Sequence, residues 1–429
     1  MYKKDIDFLR RTAINSVTKI SAPVSLYVHI PFCIKKCRYC DFLSAPTSDS
    51  DRVGYLKALE QEIKETGELT GRGDAITVDS IFFGGGTPSL LTPGELAALM
   101  DTIRASYNVL PDAEVTIECN PGTVDVIKLH EFYVQGVNRI SIGVQSFRDE
   151  ELRLLGRIHT AQQAKQCVIA AREAGFANVN VDLMSALPGQ TLAQWMQSLQ
   201  EAVKLSPEHI SAYGLILEEG TELWEMARKS EGRTDSECLP PFPDDETDRR
   251  MYHETGRFLK ECGYHRYEIS NYAREGFECR HNNGYWTGHP YLGFGIGAAS
   301  YLGNVRWNHT GNLHVYCDGF NAFGSNARID EKTDARTRKE RTEEKSLQDA
   351  EKLGTEDQMA EFMFLGLRRM KGVSRRAFAQ KFGTSMESVY GAVIKRYLGL
   401  GLLKEQDGRV MLTDQGIDIS NRIMADFLL

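Results

Sequence analysis

Three thiols fall on one short segment, Cys33-x3-Cys37-x2-Cys40, directly after an apolar run, Ser25–Ile30, that reads as a strand. A structural zinc site closes with four ligands, so zinc here would need a fourth, with Asp41 or His29 nearest in sequence. A cubane [4Fe–4S] cluster is normally held by four cysteines, so three leave one iron able to take an exogenous ligand. The spacing alone leaves both chemistries open. The other six of the nine cysteines are scattered, which suits a reducing compartment and a metal site better than a disulfide framework.

A second run ends in Phe83-Gly84-Gly85-Gly86-Thr87-Pro88, where residues without Cβ let backbone approach a ligand closely or simply turn tightly. Glu118, Gln145 and Asp182 fall at or near the carboxyl ends of later runs, with Arg157 on the segment after the fourth. A carboxylate buried in an apolar barrel needs donors, supplied by ligand hydroxyls or by Arg157 and backbone N–H groups.

The elements that must position these residues follow a β-α rhythm from Val24 to Ile216. Strands are expected at Ser25–Ile30, Val78–Phe83, Glu114–Glu118, Arg139–Val144, Asn178–Leu183 and His209–Leu215, and helices at Gly54–Thr66, Pro93–Tyr107, Ala161–Ala174 and Thr191–Leu205. Six parallel strands fit an α/β fold, either a partial (β/α)6 barrel or a doubly wound sheet. Residues 1–23 read as an N-terminal extension, 24–217 as the barrel core and 218–324 as a less regular extension of it. Residues 325–354 read as a charged linker or exposed helix, and 355–429 as helices plus a hairpin of winged-helix shape. Gly293-Phe294-Gly295-Ile296-Gly297 lacks a surrounding β-α-β unit and reads as close backbone packing.

At 429 residues, the chain exceeds the roughly 250–300 at which one core stops growing, so at least two domains are expected. Lys+Arg of 51 against Asp+Glu of 59 gives a formal charge of −8, which argues against a surface built to grip phosphate backbones. No run reaches the roughly 18 apolar residues of a membrane helix. The start, Met1-Tyr2-Lys3-Lys4-Asp5, leads into no apolar signal region, so a cytoplasmic protein is expected; Asp5 and Asp7 count against organelle import.

At Cys33, Cys37 and Cys40 the sequence resembles the radical S-adenosylmethionine (SAM) superfamily, whose C-x3-C-x2-C loop binds a [4Fe–4S] cluster while SAM occupies the open iron. Tyr27-Val28-His29-Ile30-Pro31-Phe32-Cys33, Gly84–Pro88, Ile142-Gly143-Val144-Gln145-Ser146-Phe147 and Asn180-Val181-Asp182-Leu183 resemble the HemN/HemW group in order and spacing. The resemblance implies SAM contacts at Tyr27, Gly84, Gly85, Gly86, Thr87, Glu118, Gln145, Arg157, Asp182 and Ile216, with Tyr39 packed near the adenosyl group. It also implies that the tail is a HemN-type accessory domain, so Arg375, Arg376, Lys381, Lys395 and Arg396 are read as solvating helix faces rather than as gripping nucleic acid.

Within that group the coproporphyrinogen III dehydrogenases place a fourth cysteine two residues after the third. This chain has Phe42 there and resembles the haem-chaperone branch. Arg280-His281-Asn282-Asn283-Gly284-Tyr285-Trp286 resembles that branch's H-N-x-x-Y-W segment, which implies His281 as a haem ligand. An imidazole beside large aromatic rings suits axial ligation with apolar porphyrin packing, and equally a histidine bonded within its loop over core aromatics. The resemblance implies haem and a haem-acceptor protein as partners, a flavodoxin or ferredoxin as electron donor if SAM is cleaved, and leaves a homodimer open. Oxidative decarboxylation of coproporphyrinogen III is the alternative activity, and a winged-helix redox regulator of DNA is a third.

Overall fold

The computed structural model describes residues 10–14, 22–69, 76–230, 238–320 and 347–429. Strands β1 (Val24–Ile30), β2 (Thr77–Gly85), β3 (Asn108–Cys119) and β4 (Arg139–Gln145) alternate with helices α1 (Asp49–Glu68), α2 (Pro93–Ser106), α3 (Val126–Val134), α4 (Asp149–Leu154) and α5 (Ala161–Glu173). There follow β5 (Val179–Ser185), α6 (Leu192–Lys204), β6 (His209–Gly214), α7 (Glu222–Ser230), α8 (Asp245–Glu261), β7 (His265–Arg266), β8 (Asn271–Ala273) and α9 (Arg280–Thr287). Next come β9 (Tyr291–Phe294), β10 (Ala299–Leu302), β11 (Val305–His309), α10 (Leu313–Phe320) and β12 (Leu347–Lys352). The tail holds α11 (Thr355–Leu367), β13 (Val373–Ser374), α12 (Arg375–Phe382), α13 (Met386–Gly399), β14 (Leu403–Gln406), β15 (Arg409–Leu412), α14 (Asp414–Asp418) and α15 (Ser420–Ala425).

The chain forms two compact units, the first from Met1–Val179, Ile216–Leu239 and Pro290–Lys352, the second from Asn180–Leu215, Pro240–His289 and Leu353–Leu429. In the first, β1 to β4 lie side by side in chain order, every pairing parallel. That sequential order is the barrel arrangement rather than the reversed order of a doubly wound sheet. Leu26, Val28, Ile81, Phe83, Ile117, Ile140, Ile142 and Val144 are buried, as expected of parallel strands covered on both faces. Thr92 and Thr160 start α2 and α5 with full capping boxes, their hydroxyls accepting from Glu95 N and Gln163 N.

Within 218–324, expected as a less regular extension of the barrel, β9 adds parallel to the outer edge of β1 and β10 and β11 continue the sheet antiparallel, with β12 following beyond that segment. Residues 347–352 of the expected linker are the edge strand β12, with only Leu347 and Ala350 buried. The remainder of that segment, up to 346, lies outside the described residues. Gly293 and Gly295 are packing glycines as expected: a Cβ would fall 2.1 Å from the Ala299 carbonyl oxygen and 2.2 Å from the Tyr55 hydroxyl.

In the second unit β5 pairs parallel with β6, and β8 and β7 follow antiparallel. The tail packs α11, α12 and α13 on a small sheet ordered β13-β15-β14, around Phe378, Tyr390, Ile394 and Val410, in the winged-helix manner. Two of its cations are paired: Arg375 with Glu387 and Glu405, and Arg396 with Asp426.

Candidate functional site

β1 delivers the chain to the cysteine loop at its carboxyl end. The loop is closed at its base by two backbone hydrogen bonds, Cys33 N–H to the Ala45 carbonyl at 3.1 Å and Ala45 N–H to the Pro31 carbonyl at 3.0 Å. It is tied to the end of α4 by Arg38 N–H, which donates to the Leu155 carbonyl at 3.0 Å. All three thiols are partly exposed. Among the described residues, Cys33, Cys37 and Cys40 do not form a set of ligand atoms all within 4.8 Å of one another. A single zinc with Zn–S near 2.3 Å would draw sulfurs to about 4 Å apart, whereas a multi-iron cube requires wider separation.

His29 is unsuited to be a fourth ligand. Its Nε2 lies 2.9 Å from the Leu43 carbonyl and must carry the proton, leaving Nδ1 to accept from the Tyr27 hydroxyl at 3.1 Å. Burial pushes the imidazole pKa down, consistent with this neutral tautomer. Its two nitrogens thus hold the far side of the cysteine loop and the predicted SAM contact Tyr27.

The glycine triplet presses against the start of that loop. A Cβ on Gly86 would fall 2.8 Å from the Phe32 carbonyl oxygen, and one on Gly85, at φ +115°, 2.5 Å from His29 Cε1. Gly86 N–H donates to the Ile30 carbonyl at 2.8 Å, and Gly85 N–H to Glu118 Oε2 at 3.0 Å. The glycines therefore fasten β2 to the cysteine loop, with Glu118 of β3 as the anchor. Next in sequence, the Thr87 hydroxyl is 3.6 Å from Cys33 Sγ.

Arg157 reaches the other side of the loop. Its Nη1 donates to Cys37 Sγ at 3.4 Å, and its Nη2 to the Gly143 carbonyl and to Asn120 Oδ1, each at 2.6 Å. Asn120 Nδ2 in turn donates to Thr87 Oγ1 at 2.8 Å. One side chain that the sequence reading missed thus joins the groups touching two of the three sulfurs. Its signal was Asn120-Pro121-Gly122, a turn cluster directly after a strand end. Arg157 Nε is buried without a hydrogen-bond partner. Arg157, Asn120, Thr87 and Cys37 line one cleft with Ile34, Lys35, Thr123 and Ile158, so a buried donor and a thiol share a concave surface. These donors fit a cluster and a polar ligand beside it.

Burial pushes the Tyr39 phenol pKa well up, so it stays protonated beside Arg157. Gln145 ends β4 at φ +66°, a left-handed conformation that costs an L side chain energy and clusters at functional sites. Of the other predicted residues, Ile216 belongs to the first unit and Asp182 and His281 to the second. Asp182 sits within β5 of the second unit and accepts from Asn180 Nδ2 at 2.7 Å. Ile216, just after β6, is 71% exposed. His281 lies in α9 of the second unit, 1% exposed, with its Nε2 3.0 Å from the Tyr285 hydroxyl. Trp286 on the same helix carries the Arg368 guanidinium 4.3 Å over its ring.

A barrel whose first strand opens into a three-cysteine loop, backed by a glycine turn and an arginine, defines a radical SAM protein. The Radical SAM superfamily model matches residues 27–202 and the HemN C-terminal domain model residues 353–419; the cofactors of this class are a [4Fe–4S] cluster and SAM. The chain is 38% identical to the Heme chaperone HemW of Bacillus subtilis over 94% of its own length and 99% of the relative. It is 32% identical to the protein of the same name from Lactococcus lactis over 96% and 98%. It belongs to the HemW family. A Danio rerio relative, Radical S-adenosyl methionine domain-containing protein 1, mitochondrial, is 40% identical over 68% of this chain and 63% of that one. The solved structure of coproporphyrinogen III oxidase (HemN) from Escherichia coli shares the fold, with TM-score 0.78 at 24% identity over 97% of this chain and 92% of that one.

Proposed function

We propose that this chain is a haem chaperone that binds haem and passes it to an acceptor protein, holding a [4Fe–4S] cluster on Cys33, Cys37 and Cys40. The observation that carries the reading is the similarity along almost its entire length to proteins named Heme chaperone HemW. Phe42, in place of a cysteine after Cys40, supports it.

When bound, such a cluster offers an open iron to the amino and carboxylate groups of SAM. Arg157 sets a positive charge against the Cys37 sulfur, Thr87 sets a hydroxyl against Cys33, and Asn120 holds both in register. Tyr27, Gly84, Gly85, Gly86, Thr87, Glu118, Gln145, Arg157, Asp182 and Ile216 are proposed to contact SAM, with Tyr39 near its adenosyl group. His281 is proposed as the axial haem ligand, its Nε2 exchanging the Tyr285 hydroxyl for iron. A flavodoxin- or ferredoxin-type donor, required if SAM is cleaved, and a cytoplasmic location belong to the same reading, which leaves a homodimer open. No helix among the described residues is long and apolar enough to cross a membrane.

The test is an anaerobic haem titration of cluster-loaded wild type and His281→Ala, with parallel product analysis for 5′-deoxyadenosine and protoporphyrinogen IX. Haem binding by wild type, weakened in the variant, is expected. Absence of haem binding overturns the proposal, and sustained turnover of coproporphyrinogen III transfers the chain to the dehydrogenase reading.

A further inference from the structure

Two cysteines that play no part in the cluster site face one another in the first unit. Cys119 is the last residue of β3 and Cys167 lies on the inner face of α5; they are 3% and 5% exposed, with their sulfurs 4.0 Å apart. Sequence separates them by 48 residues, so only the fold brings them together. The Cys119 thiol also reaches the Asn120 carbonyl, at 3.8 Å, and Lys128 sits close by, its ammonium donating to the Ser89 and Thr123 carbonyls at 2.7 and 3.4 Å. A nearby cation favours the thiolate, the form that reacts.

The flanking residues make the position informative. Glu118, on one side, anchors the Gly85 amide; Asn120, on the other, bridges Thr87 and Arg157. Asn120 and Thr123 line the cleft, so its wall includes the residue next to Cys119, although the sulfur itself is buried behind it.

We propose that Cys119 and Cys167 form a reversible dithiol–disulfide switch that reports oxidation to the SAM and cluster site. Hydrogen peroxide is the oxidant. The Cys119 thiolate attacks one peroxide oxygen, giving a sulfenic acid and hydroxide, and the Cys167 sulfur then displaces that hydroxyl, which leaves as water once protonated. The two thiols lose two electrons and two protons, and peroxide becomes two waters. Closing the sulfurs from 4.0 Å to the roughly 2.05 Å of a disulfide draws the end of β3 toward α5. Asn120 moves with it, slackening its bridge between Thr87 and Arg157.

The experiment treats anaerobically purified, cluster-loaded protein with graded peroxide, alkylates remaining thiols and maps peptides by mass spectrometry. A 119–167 cross-linked peptide is expected before Cys262 is consumed, reversed by dithiothreitol. In Cys167→Ser it is absent, and Cys119 is instead trapped by dimedone. Free Cys119 and Cys167 after Cys262 is oxidised overturn the proposal. With samples matched for cluster content, SAM affinity should fall several-fold in oxidised wild type but not in identically treated Cys167→Ser. Equal affinity in the two overturns the coupling to the site.

Discussion

Replacing Asn120 by alanine cuts the bond from Arg157 Nη2 at 2.6 Å and the bond to Thr87 Oγ1 at 2.8 Å at one stroke. A hydrogen bond from a charged donor contributes about 1.5–3 kcal/mol and a neutral one about 0.5–1.5 kcal/mol. Arg157 keeps the Gly143 carbonyl, and the site is only partly buried, so water recovers some of both. A net loss of about 2 kcal/mol is therefore expected. Asn120→Asp separates the arms, because a carboxylate still accepts from Arg157 but no longer donates to Thr87. It should cost about 1 kcal/mol or less. Equilibrium urea unfolding reads the stability, and absorbance after anaerobic reconstitution reads how well the sulfurs are held. Cluster yield should fall in Asn120→Ala and fall less in Asn120→Asp. An alanine variant with wild-type stability and full cluster yield would refute the bridging role.

Burial, aided by the nearby Arg157 charge, pushes the His159 pKa down to about 4. Its unfolded value is near 6.5, so the unfolded chain takes up the proton first. Stability is complete above pH 6.5 and declines as pH falls toward 4, by about 2 kcal/mol at pH 5; urea titrations should show this slope reduced in His159→Gln. Gly86→Ala drives a Cβ to within 2.8 Å of the Phe32 carbonyl oxygen, so reconstituted cluster absorbance should drop by half or more while far-ultraviolet circular dichroism stays unchanged. Tyr285→Phe removes the hydroxyl that lies 3.0 Å from His281 Nε2 and should tighten haem binding about two- to tenfold if the imidazole is the ligand, as measured by spectral titration.

The six strands of the β-α rhythm were legible because each contains a β-branched or apolar stretch that is largely buried, and the observed bounds of β1, β4 and β6 fall within a residue of those read from the sequence. β3 was read short: its first half, Asn108–Asp112, is polar or proline-containing and carries no apolar alternation. β9 was illegible for a different reason. Its four residues include a glycine, and its stability comes from pairing with a strand far away in sequence, which no local window contains. β12 hid behind its composition, since an edge strand tolerates charge on every position that does not face the core. At the site, the cysteines and glycines announced themselves by spacing. Asn120 carried only the turn signal of Asn120-Pro121-Gly122, which marks a bend and not a contact; its bridge between the residues beside Cys33 and Cys37 exists only in the folded chain.

Ser25 of β1 pairs with Tyr291 of β9, so during synthesis β1 waits for a partner 266 positions downstream (291 − 25). At roughly 5–20 residues per second, that delay is about 15–50 s. Throughout it the nascent chain displays a bare, strongly apolar strand edge immediately ahead of three reactive sulfurs, a combination that invites off-pathway pairing with other polypeptides. Premature termination before residue 291 would leave that edge permanently uncovered, so shortened products should be insoluble even when they contain every cluster cysteine.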